Sequence, residues 1–462
     1  MIRHVAVVDI GKTNAKLAMV DLAARSETAV RKTTNRPLAD GPYRHHDVDA
    51  LWSFILESLR ALRQEQPIDA ICVTTHGATA ALLDAGGELA LPVLDYEDNG
   101  PDASRRRYEA VRPPFAETGS PALPLGLNLG AQLFWQAEAH SEAFGRVATI
   151  LAYPQYWSWR LTGVAASEAT SLGCHTDLWN PSRRDFSTLV ERMGWRGLFP
   201  PVRAAGERLG TVRPAVAERA GLDPATPVFC GIHDSNASLL PHLLARQAPF
   251  SVVSTGTWVV SMAVGGRGVD LDPARDTLIN VNALGEPVPS ARFMGGREFE
   301  LLSDGAEASA GDDAVRSVIE RGVMLLPSVQ QGSGPFPSAR SRWIGEPAGA
   351  ERAIAVSFYL ALMTATCLEL VGADGQTIIE GPFALNGHYC GMLQAATGRP
   401  VLPQAGQATG TSIGAALLAS AAPQAPAHDA ARTDAPAAWR RYADAWTAAA
   451  GQDAYRRMRP HA

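Results

Sequence analysis

Two short apolar runs in this chain end in closely similar turns, which lie near the starts of its two halves. The first run leads into residues 9–14 (Asp-Ile-Gly-Lys-Thr-Asn) and the second into residues 254–257 (Ser-Thr-Gly-Thr). Small and hydroxyl residues at a strand end expose amides and hydroxyls that can wrap phosphate oxygens. The recurrence predicts a duplicated domain, with a phosphate-facing turn in each copy and a cleft between them.

The first turn contains the end of a P-loop motif without its beginning. Gly11, Lys12 and Thr13 match the close of the Walker A pattern, but the position five residues before Gly11 is Ala6 and the residues between form an apolar run. A tight turn remains, in which Asp9 could hold a metal ion through water and the amides could bind phosphate. The alternative is an ordinary hairpin whose Asp9 and Asn14 cap their own turn.

Short β-branched runs alternate with stretches of helical periodicity along the chain, which predicts an α/β fold. The runs predict strands at 5–8, 71–75, 228–230, 251–254, 323–326 and 377–379. The periodic stretches predict helices at 49–63, 131–140, 212–220 and 353–370. Residues 113–124 are predicted to be a loop, 419–438 an Ala- and Pro-rich surface connection, and 439–458 a closing helix.

Composition excludes several classes of protein. Lys and Arg total 41 against 47 Asp and Glu, a net charge of −6 without a basic block, so nucleic acid is not expected as a partner. Mean hydropathy is −0.05, and no apolar run reaches membrane-spanning length. The five cysteines are scattered without a Cys-x-x-Cys spacing, so neither disulfides nor zinc is expected. Asp9 interrupts the first apolar stretch, and we expect a cytoplasmic protein without a signal peptide.

Polar residues follow two predicted strands in the middle of the chain. Residues 231–238 include the pair His233 and Asp234, which could be a metal pair, a helix N-cap or a base at a strand end. The next strand ends in residues 254–258, which offer amides and hydroxyls. A carboxylate at one strand end would then stand near hydroxyls and amides at the next.

A second group of polar residues suits a sugar. Thr75, His76 and Gly77 end a predicted strand, and residues 95–99 (Asp-Tyr-Glu-Asp-Asn) combine polar groups with an aromatic ring. Sugar hydroxyls bind such acceptors and sugar rings stack on aromatics. A solvated acidic loop is the alternative, and residues 45–46 (His-His) are predicted to lie on the surface.

Residues 410–414 match the Gly-x-Ser-x-Gly nucleophile elbow of hydrolases. That reading requires a downstream Asp and His, and only an Ala-rich tail follows, so a serine hydrolase is excluded. The glycines are instead predicted to open a helix at 415–419 close to a ligand, as in a nucleotide pocket.

Together these segments resemble the FGGY family of carbohydrate kinases. The resemblance rests on residues 9–14, 75–77 with 82–84, and 231–236, and on the second turn at 254–258. Further matches lie at 160–163, 184–187, 209–212, 398–401 and 410–417. The resemblance implies two ribonuclease-H-like domains of the actin-like ATPase superfamily with a central cleft. The first domain (1–244) would bind sugar and the second (245–462) would bind nucleotide. ATP and Mg²⁺ are the implied cofactors.

The resemblance also implies roles for individual residues. Asp234 matches the catalytic base, which accepts the proton of the sugar hydroxyl, and Asp9 with Asp234 would hold the metal. The residues expected to bind nucleotide are Asp9, Gly11, Lys12, Thr13, Asn14, Lys16, Thr255, Gly256, Thr257, Gly381, Pro382 and Gly410. Those expected to bind the sugar are His76, Gly77, Tyr96, Glu97, Asp98 and Asp234.

Some positions depart from the commonest pattern of the family. Tyr96, Glu97 and Asp98 stand where Trp-Asn-Asp is usual, and Glu380 to Phe383 replace the usual glycine pair of the adenosine motif. His233, the Gly-Thr-Trp turn and Gly295 with Gly296 are similar to the rhamnulose and fuculose kinases, which points to an L-ketose or deoxy sugar. A sugar- or nucleotide-sensing relative without transfer is the alternative, as is an ATPase without an acceptor. A homodimer is a possible assembly, and no membrane partner is expected.

Overall fold

The computed structural model describes residues 2–303, 311–404, 410–420 and 435–458. The chain divides into two compact units that are not continuous in sequence. Unit 1 comprises Met1–Ala245, Ile279–Pro287 and Ala408–Ala425, and unit 2 comprises Arg246–Leu278, Val288–Gln407 and Pro426–Ala462. The first boundary between the units follows Ala245, one residue after the predicted boundary at 244/245. Two later segments, Ile279–Pro287 and Ala408–Ala425, also pack with the first unit.

The strands lie close to the positions that the β-branched runs predict. In chain order they are β1 (His4–Ile10), β2 (Asn14–Asp21), β3 (Ser26–Thr34), β4 (Ala70–Thr75), β5 (Ala80–Leu83), β6 (Leu89–Leu91), β7 (Thr149–Ala152), β8 (Ser167–Glu168), β9 (Trp179–Asn180), β10 (Asp185–Phe186), β11 (Val202–Arg203), β12 (Arg208–Thr211), β13 (Pro227–Phe229), β14 (Ile232–His233), β15 (Phe250–Thr255), β16 (Val259–Val264), β17 (Thr277–Val281), β18 (Pro287–Phe293), β19 (Met324–Leu326), β20 (Arg342–Ile344), β21 (Gln376–Glu380) and β22 (Val401–Gln404).

The four long helices predicted from periodicity are all present. The α-helices are α1 (Val48–Glu65), α2 (Arg105–Val111), α3 (Phe115–Thr118), α4 (Leu129–Ala139), α5 (Ser141–Phe144), α6 (Tyr153–Thr162), α7 (Ala169–Leu172), α8 (Thr188–Arg192), α9 (Pro214–Ala220), α10 (Asp234–Ala245), α11 (Gly295–Leu302), α12 (Asp312–Arg321), α13 (Glu351–Leu370), α14 (Gly387–Thr397), α15 (Gly410–Leu417) and α16 (Ala437–Met458).

Three of the local predictions need correction or fall outside the described residues. The predicted loop at 113–124 contains the single turn α3, which starts after Pro114 and stops at Gly119, whose φ of +63° is a common helix end. The helix predicted at 415–419 begins earlier and ends at Leu417. Most of the predicted connection at 419–438 lies outside the described residues.

The main sheet of unit 1 has the order β12-β13-β4-β1-β2-β3, with β14 also paired to β4. β1 runs antiparallel to β2 and parallel to β4. Ala6 and Val8 of β1 pack in one apolar cluster with residues of α1, α6 and α9, while Val5 and Val7 pack in another with residues of α10 and α15. Burial on both faces explains why β1 reads as a continuous apolar run.

Helices α10 and α15 of unit 1 pack unusually closely. A Cβ added at Gly414 would lie 1.7 Å from the carbonyl oxygen of Ala237, so only glycine allows this crossing. Ser238 Oγ and Thr411 Oγ1 lie 2.8 Å apart across the same contact. The glycines of residues 410–414 therefore bring α15 against the helix that begins at Asp234.

The sheet that carries the second turn has the order β17-β18-β16-β15-β21-β22, and β15, β16, β21 and β22 lie wholly in unit 2. In this sheet β15 is antiparallel to β16 and parallel to β21. In unit 1, β1 is likewise antiparallel to β2 and parallel to β4. In both units a long helix, α1 or α13, precedes the parallel partner strand. This shared connectivity supports the duplication that the two turns predict.

Helix α13 is the central core helix of unit 2. It is 20 residues long, its mean hydropathy of 1.7 would suit a membrane span, and 72% of that stretch is buried within the fold. Its burial against strands and neighbouring helices accounts for its apolar composition. All five cysteines carry free thiols, of which Cys390 alone is partly exposed.

Candidate active site

Three parallel strand ends bring predicted site residues together in unit 1. β4 is paired in parallel with both β1 and β14. Asp9 lies near the end of β1, His76 directly follows β4, and Asp234 directly follows β14. The carboxyl ends of parallel strands meet at one edge of a sheet, which is where open α/β sheets commonly bind ligands.

Asp234 begins helix α10 with its carboxyl partly open to solvent. Its Oδ1 accepts a hydrogen bond from the backbone N–H of Ser235 at 2.6 Å, and His233 Nε2 lies 3.2 Å from the same oxygen. The side chain retains 34% of its exposure, whereas that of His233 retains 6%. The carboxylate is therefore anchored on one side and accessible on another.

His76 and Gly77 lie beside this carboxylate. His76 Nδ1 is 2.9 Å from the carbonyl oxygen of Gly77, while its buried Nε2 has no hydrogen-bond partner among the described residues. The ring of Tyr96 stands nearly perpendicular to the His76 ring, with centroids 5.5 Å apart. A Cβ at Gly77 would lie 2.8 Å from His233 Nε2, so the glycine makes room for that ring.

The electrostatics of the site favour neutral histidines and weakly acidic carboxyls. Burial raises the pKa of Asp234, and the nearby His76 partly opposes this shift. Burial also raises the pKa of Asp9; Lys16 opposes this shift and the negative charge of Asp234 adds to it. Burial lowers the pKa of His76 and lowers the pKa of His233 to about 4. Burial thus disfavours the charged form of both rings, and His233 is uncharged at neutral pH.

Asp9 is held by neighbours from two other elements. Lys16 Nζ lies 3.4 Å from Asp9 Oδ2, and Ser412 Oγ of α15 donates to the same oxygen at 3.3 Å. Lys16 also pairs with Glu27 at 2.9 Å. The positive charge of Lys16, which is predicted to bind nucleotide, is thus shared between two carboxylates. Ser412 is fully buried, in agreement with the exclusion of a hydrolase nucleophile.

The first glycine turn is closed by its own hydrogen bonds. Gly11 N–H donates to the Asn14 carbonyl at 2.9 Å, and Asn35 Nδ2 donates to the Gly11 carbonyl at 2.8 Å. The backbone of this turn is therefore that of an ordinary hairpin, as the alternative interpretation of the sequence predicted. Thr13 and Asn14 are exposed at its tip, and Asn14 Nδ2 donates to Thr13 Oγ1 at 3.0 Å. These two polar side chains are the most exposed part of the turn.

Lys12 points toward the predicted sugar-side loop. Its Nζ lies 2.6 Å from Asp95 Oδ1 and 3.2 Å from Glu97 Oε2, and 5.2 Å from the centre of the Tyr96 ring. The sequence assigned Lys12 to the nucleotide side, because its place in the glycine turn gives no information about this distant partner. The structure instead groups it with Tyr96 and Glu97.

Asp95 and Arg44 complete this cluster and were absent from the predicted site. Asp95 is fully buried, and Arg44 Nε lies 3.0 Å from its Oδ2. Asp98, predicted to bind the sugar, directs both carboxylate oxygens to backbone amides, those of Gly100 at 2.7 Å and Arg44 at 2.8 Å. Its side chain therefore shapes the loop. The position of Asp95 in the polar run of residues 95–99 was the sequence feature that could have indicated its place in this cluster.

His46 was predicted to lie on the surface, and this prediction is wrong. It is 1% exposed, with its ring 5.2 Å from that of His76 and 5.4 Å from that of Tyr153. His45 forms backbone bridges with Leu38 and Leu94, and successive side chains of such extended segments point to opposite sides. That alternation turns His46 inward. Neither of its ring nitrogens has a hydrogen-bond partner in the described part of the chain.

The second glycine turn, in unit 2, is built on close backbone packing. Thr255 Oγ1 donates to the Glu380 carbonyl at 2.5 Å and accepts from Phe383 N–H at 3.1 Å. A Cβ at Gly381, whose φ is +83°, would lie 2.0 Å from the Thr255 carbonyl oxygen. The Thr255 hydroxyl, predicted to contact phosphate, is therefore committed to the fold. Of the predicted residues here, those exposed are Gly256, Thr257, Gly381 and Pro382.

Gly410 belongs to unit 1, whereas Gly381 and Pro382 belong to unit 2. The sequence assigned all three to one nucleotide-binding domain. Gly410 opens α15, which packs on α10. Its place in the first unit follows from that helix pairing, which no local pattern encodes.

The acidic residues of unit 1 fit a magnesium ion that is shared with phosphate. Among the described residues, no three His, Cys, Asp or Glu side chains are arranged to hold a metal alone. Mg²⁺ is often bound by only one or two carboxylates together with phosphate oxygens and water. Asp9 and Asp234 meet that requirement, because the charge of one raises the pKa of the other.

Models of known protein families match nearly the whole chain. The model described as FGGY family of carbohydrate kinases, N-terminal domain, matches residues 4–241, and the model described as Carbohydrate kinase FGGY, C-terminal domain, matches residues 247–428. The chain belongs to the FGGY family of carbohydrate kinases. The two duplicated α/β units described above are the two-domain fold of this family.

Individual relatives of this FGGY chain include proteins of known structure. A carbohydrate kinase from Novosphingobium aromaticivorans has a TM-score of 0.90 and 37% identity, over 98% of this chain and 99% of that chain. An L-fuculokinase from Salmonella typhi is 28% identical over 273 residues, 57% of each chain. A probable L-xylulose kinase from Pasteurella multocida is 26% identical, over 56% of this chain and 55% of the relative. The alignments span little more than half the length of these curated relatives.

Proposed function

We propose that this FGGY chain is an ATP-dependent sugar kinase, which transfers the γ-phosphoryl group to a hydroxyl of a small ketose or deoxyketose. One observation carries the proposal: the partly exposed carboxylate of Asp234 lies next to His76 at the sheet edge that also carries Asp9. A carboxylate with a raised pKa is suited to accept a proton near neutral pH. The names of the fuculokinase and xylulose kinase relatives support a ketose acceptor.

In the proposed reaction, the sugar hydroxyl oxygen attacks the γ-phosphorus of ATP as the bond to the β-phosphate oxygen breaks. The hydroxyl proton passes to the carboxylate of Asp234, and ADP leaves with the bridging oxygen. His76 Nε2, which lacks a partner within the described residues, is available to bind another hydroxyl of the sugar. The face of Tyr96 and the carboxylate of Glu97 are further candidate contacts for the sugar.

The proposal assigns phosphate binding to exposed polar groups in each unit. In unit 1 these are Thr13 and Asn14, and in unit 2 they are Gly256 and Thr257. Gly381 and Pro382 are proposed to lie beside the nucleoside. Mg²⁺, held by Asp9 and Asp234, would neutralise phosphate charge when bound. Lys16 adds positive charge next to Asp9.

The proposed setting is the cytoplasm, where ATP is available. A net charge of −6 gives no support for a nucleic-acid partner, and the apolar composition of α13 is accounted for by its burial in unit 2. A small-molecule sugar is therefore the proposed partner, and a homodimer remains a prediction.

Replacing the base tests the proposal. Asp234→Asn should lower kcat by about 10²- to 10⁴-fold while ATP and sugar still bind, because the amide keeps the shape and cannot accept the proton. Asp313→Asn is a matched control, since the Asp313 side chain is 98% exposed on α12 of unit 2. The measurement is ADP release over a panel of ketoses and deoxyketoses, with calorimetry for binding. Undiminished transfer by Asp234→Asn would contradict the role, and ATP binding without any product would favour a sensor.

A further inference from the structure

A buried carboxylate outside the sheet edge is connected to the residue that precedes Asp234. Glu168 ends β8 and is 2% exposed, and Thr170 in the first turn of α7 is fully buried. Thr170 Oγ1 donates to Glu168 Oε2 at 2.6 Å and accepts from the backbone N–H of His233 at 3.1 Å. The chain of hydrogen bonds therefore runs from Glu168 through one hydroxyl to the main chain next to the base.

The carboxylate fixes the direction of the Thr170 hydroxyl. Glu168 also accepts from the backbone N–H groups of Thr170 at 2.9 Å and Ser171 at 3.1 Å, so it caps α7 as well. Burial raises the pKa of Glu168 to about 7, and its ionised form makes a strong, charge-assisted bond with the Thr170 hydroxyl at 2.6 Å. With its proton committed to Glu168, the Thr170 oxygen can only accept, which is what the His233 N–H requires.

The same short segment also contacts the side chain of His233. Cys174 Sγ, four residues after Thr170, lies 3.5 Å from His233 Nε2, and that nitrogen lies 3.2 Å from Asp234 Oδ1. On the other side of the ring, Asn236 Nδ2 lies 3.4 Å from Nδ1. The main chain and the ring of His233 are thus both held, and Asp234 is the next residue.

We propose that Thr170, oriented by the carboxylate of Glu168, is a positioning residue that holds Asp234 in its productive place through the backbone of His233. The proposal rests on the function of Asp234 proposed above. A loss of placement of about 1 Å at a reacting group can cost about 10²-fold in rate. Thr170 touches neither the sugar nor ATP in this scheme, so its loss should act on kcat.

The test compares two substitutions that differ by the hydroxyl. Thr170→Val keeps the size and removes the hydroxyl, so the His233 N–H loses its acceptor and Glu168 loses one of its donors. Thr170→Ser keeps the hydroxyl and removes a methyl group. We expect Thr170→Val to lower kcat by about 10- to 100-fold with the sugar KM within about threefold of the wild type. Thr170→Ser should stay within about threefold of the wild-type kcat.

Two further measurements separate positioning from loss of folded protein. Circular dichroism and thermal unfolding determine the folded fraction of each variant, and kcat is expressed per folded molecule. In the Asp234→Asn background, measured in single-turnover reactions with labelled ATP, adding Thr170→Val should cause no further loss, because the residue it positions is already disabled. Equal losses in the valine and serine variants, or a full further loss in the double variant, would overturn the proposal.

The activity of the single variant Asp234→Asn tests the proposed function separately from the positioning role of Thr170. If Asp234→Asn alone transfers phosphate at the wild-type rate, the proposed function of that residue fails, whatever Thr170 does. If Asp234→Asn is impaired while Thr170→Val is as active as the wild type per folded molecule, the positioning role fails and the kinase proposal stands.

Discussion

Lys12 Nζ lies 2.6 Å from Asp95 Oδ1, and this pair joins the first glycine turn to the polar loop of residues 95–98. Asp95 is fully buried and Lys12 retains 15% of its side-chain exposure. Arg44 shares the same carboxylate and Glu97 shares the same lysine. The loop that carries Tyr96 is therefore anchored by a residue whose sequence position suggested phosphate binding.

This pairing predicts which substrate responds to loss of Lys12. Lys12→Met should raise the sugar KM by about tenfold and leave the ATP KM nearly unchanged, because the loop around Tyr96 loses one of its two cations. Lys32→Met, an exposed position on β3, is the control. Initial rates with each substrate varied in turn give both constants. A selective rise in the ATP KM would restore the phosphate role for Lys12.

The raised pKa of Asp234 predicts the pH profile. A base must be deprotonated to act, so kcat/KM should rise with pH through a midpoint above the ordinary range of an aspartate, near 4. The pKa of His233 is lowered to about 4 by burial, and burial also lowers the pKa of His76, so no step near pH 6.5 is expected from these rings. Rates from pH 4 to 9 check this, and a midpoint at or below 4 would contradict it.

Gly77 is predicted to be intolerant of even a methyl group. Gly77→Ala would bring a Cβ to 2.8 Å from His233 Nε2 and 3.3 Å from Cys174 Sγ, so the ring beside Asp234 must move. We expect kcat to fall by about tenfold or more. Gly197→Ala is the control, because nothing lies within 4 Å of a Cβ there. Equal kcat for both variants would show that the ring can shift without cost.

Glu351 predicts an acid-dependent contribution to the stability of unit 2. It accepts from Ser317 Oγ, Ala348 N–H and Arg321, and these bonds hold its pKa at about 2. Because the pKa of Glu351 is lower in the folded state than in the unfolded state, where it is near 4.3, ionised Glu351 stabilises the folded protein at pH values above about 4.3. This stabilisation is lost as the pH falls toward 2. Glu351→Gln should therefore lower the free energy of unfolding at pH 7.

The difference between the wild type and Glu351→Gln should shrink as the pH falls from about 4.3 toward 2. Urea unfolding at a series of pH values measures it, with Glu320→Gln as a control, because that side chain is exposed on the neighbouring helix α12. A difference that stays constant across this range would mean that the charge of Glu351 does not contribute.

Local sequence patterns account for the framework of the site. Apolar runs such as that of β1 mark strands buried on both faces, and the polar residues directly after them mark the sheet edge. His76 and Asp234 could be predicted for this reason, since each follows a strand by one residue. The two glycine turns likewise indicated the duplication, because each carries its pattern within a few residues.

Contacts between distant segments decided the features of the site that local sequence patterns did not predict. The sequence determined the strands, the turns, the family and the residues at the strand ends, because these depend on neighbours along the chain. Only the folded chain turned Lys12 toward Asp95, buried His46, committed the Thr255 hydroxyl to residues 380 and 383, and joined Gly410 to unit 1. A side chain's partner is set by which remote segment packs against it, and that choice is made by the burial of the whole core.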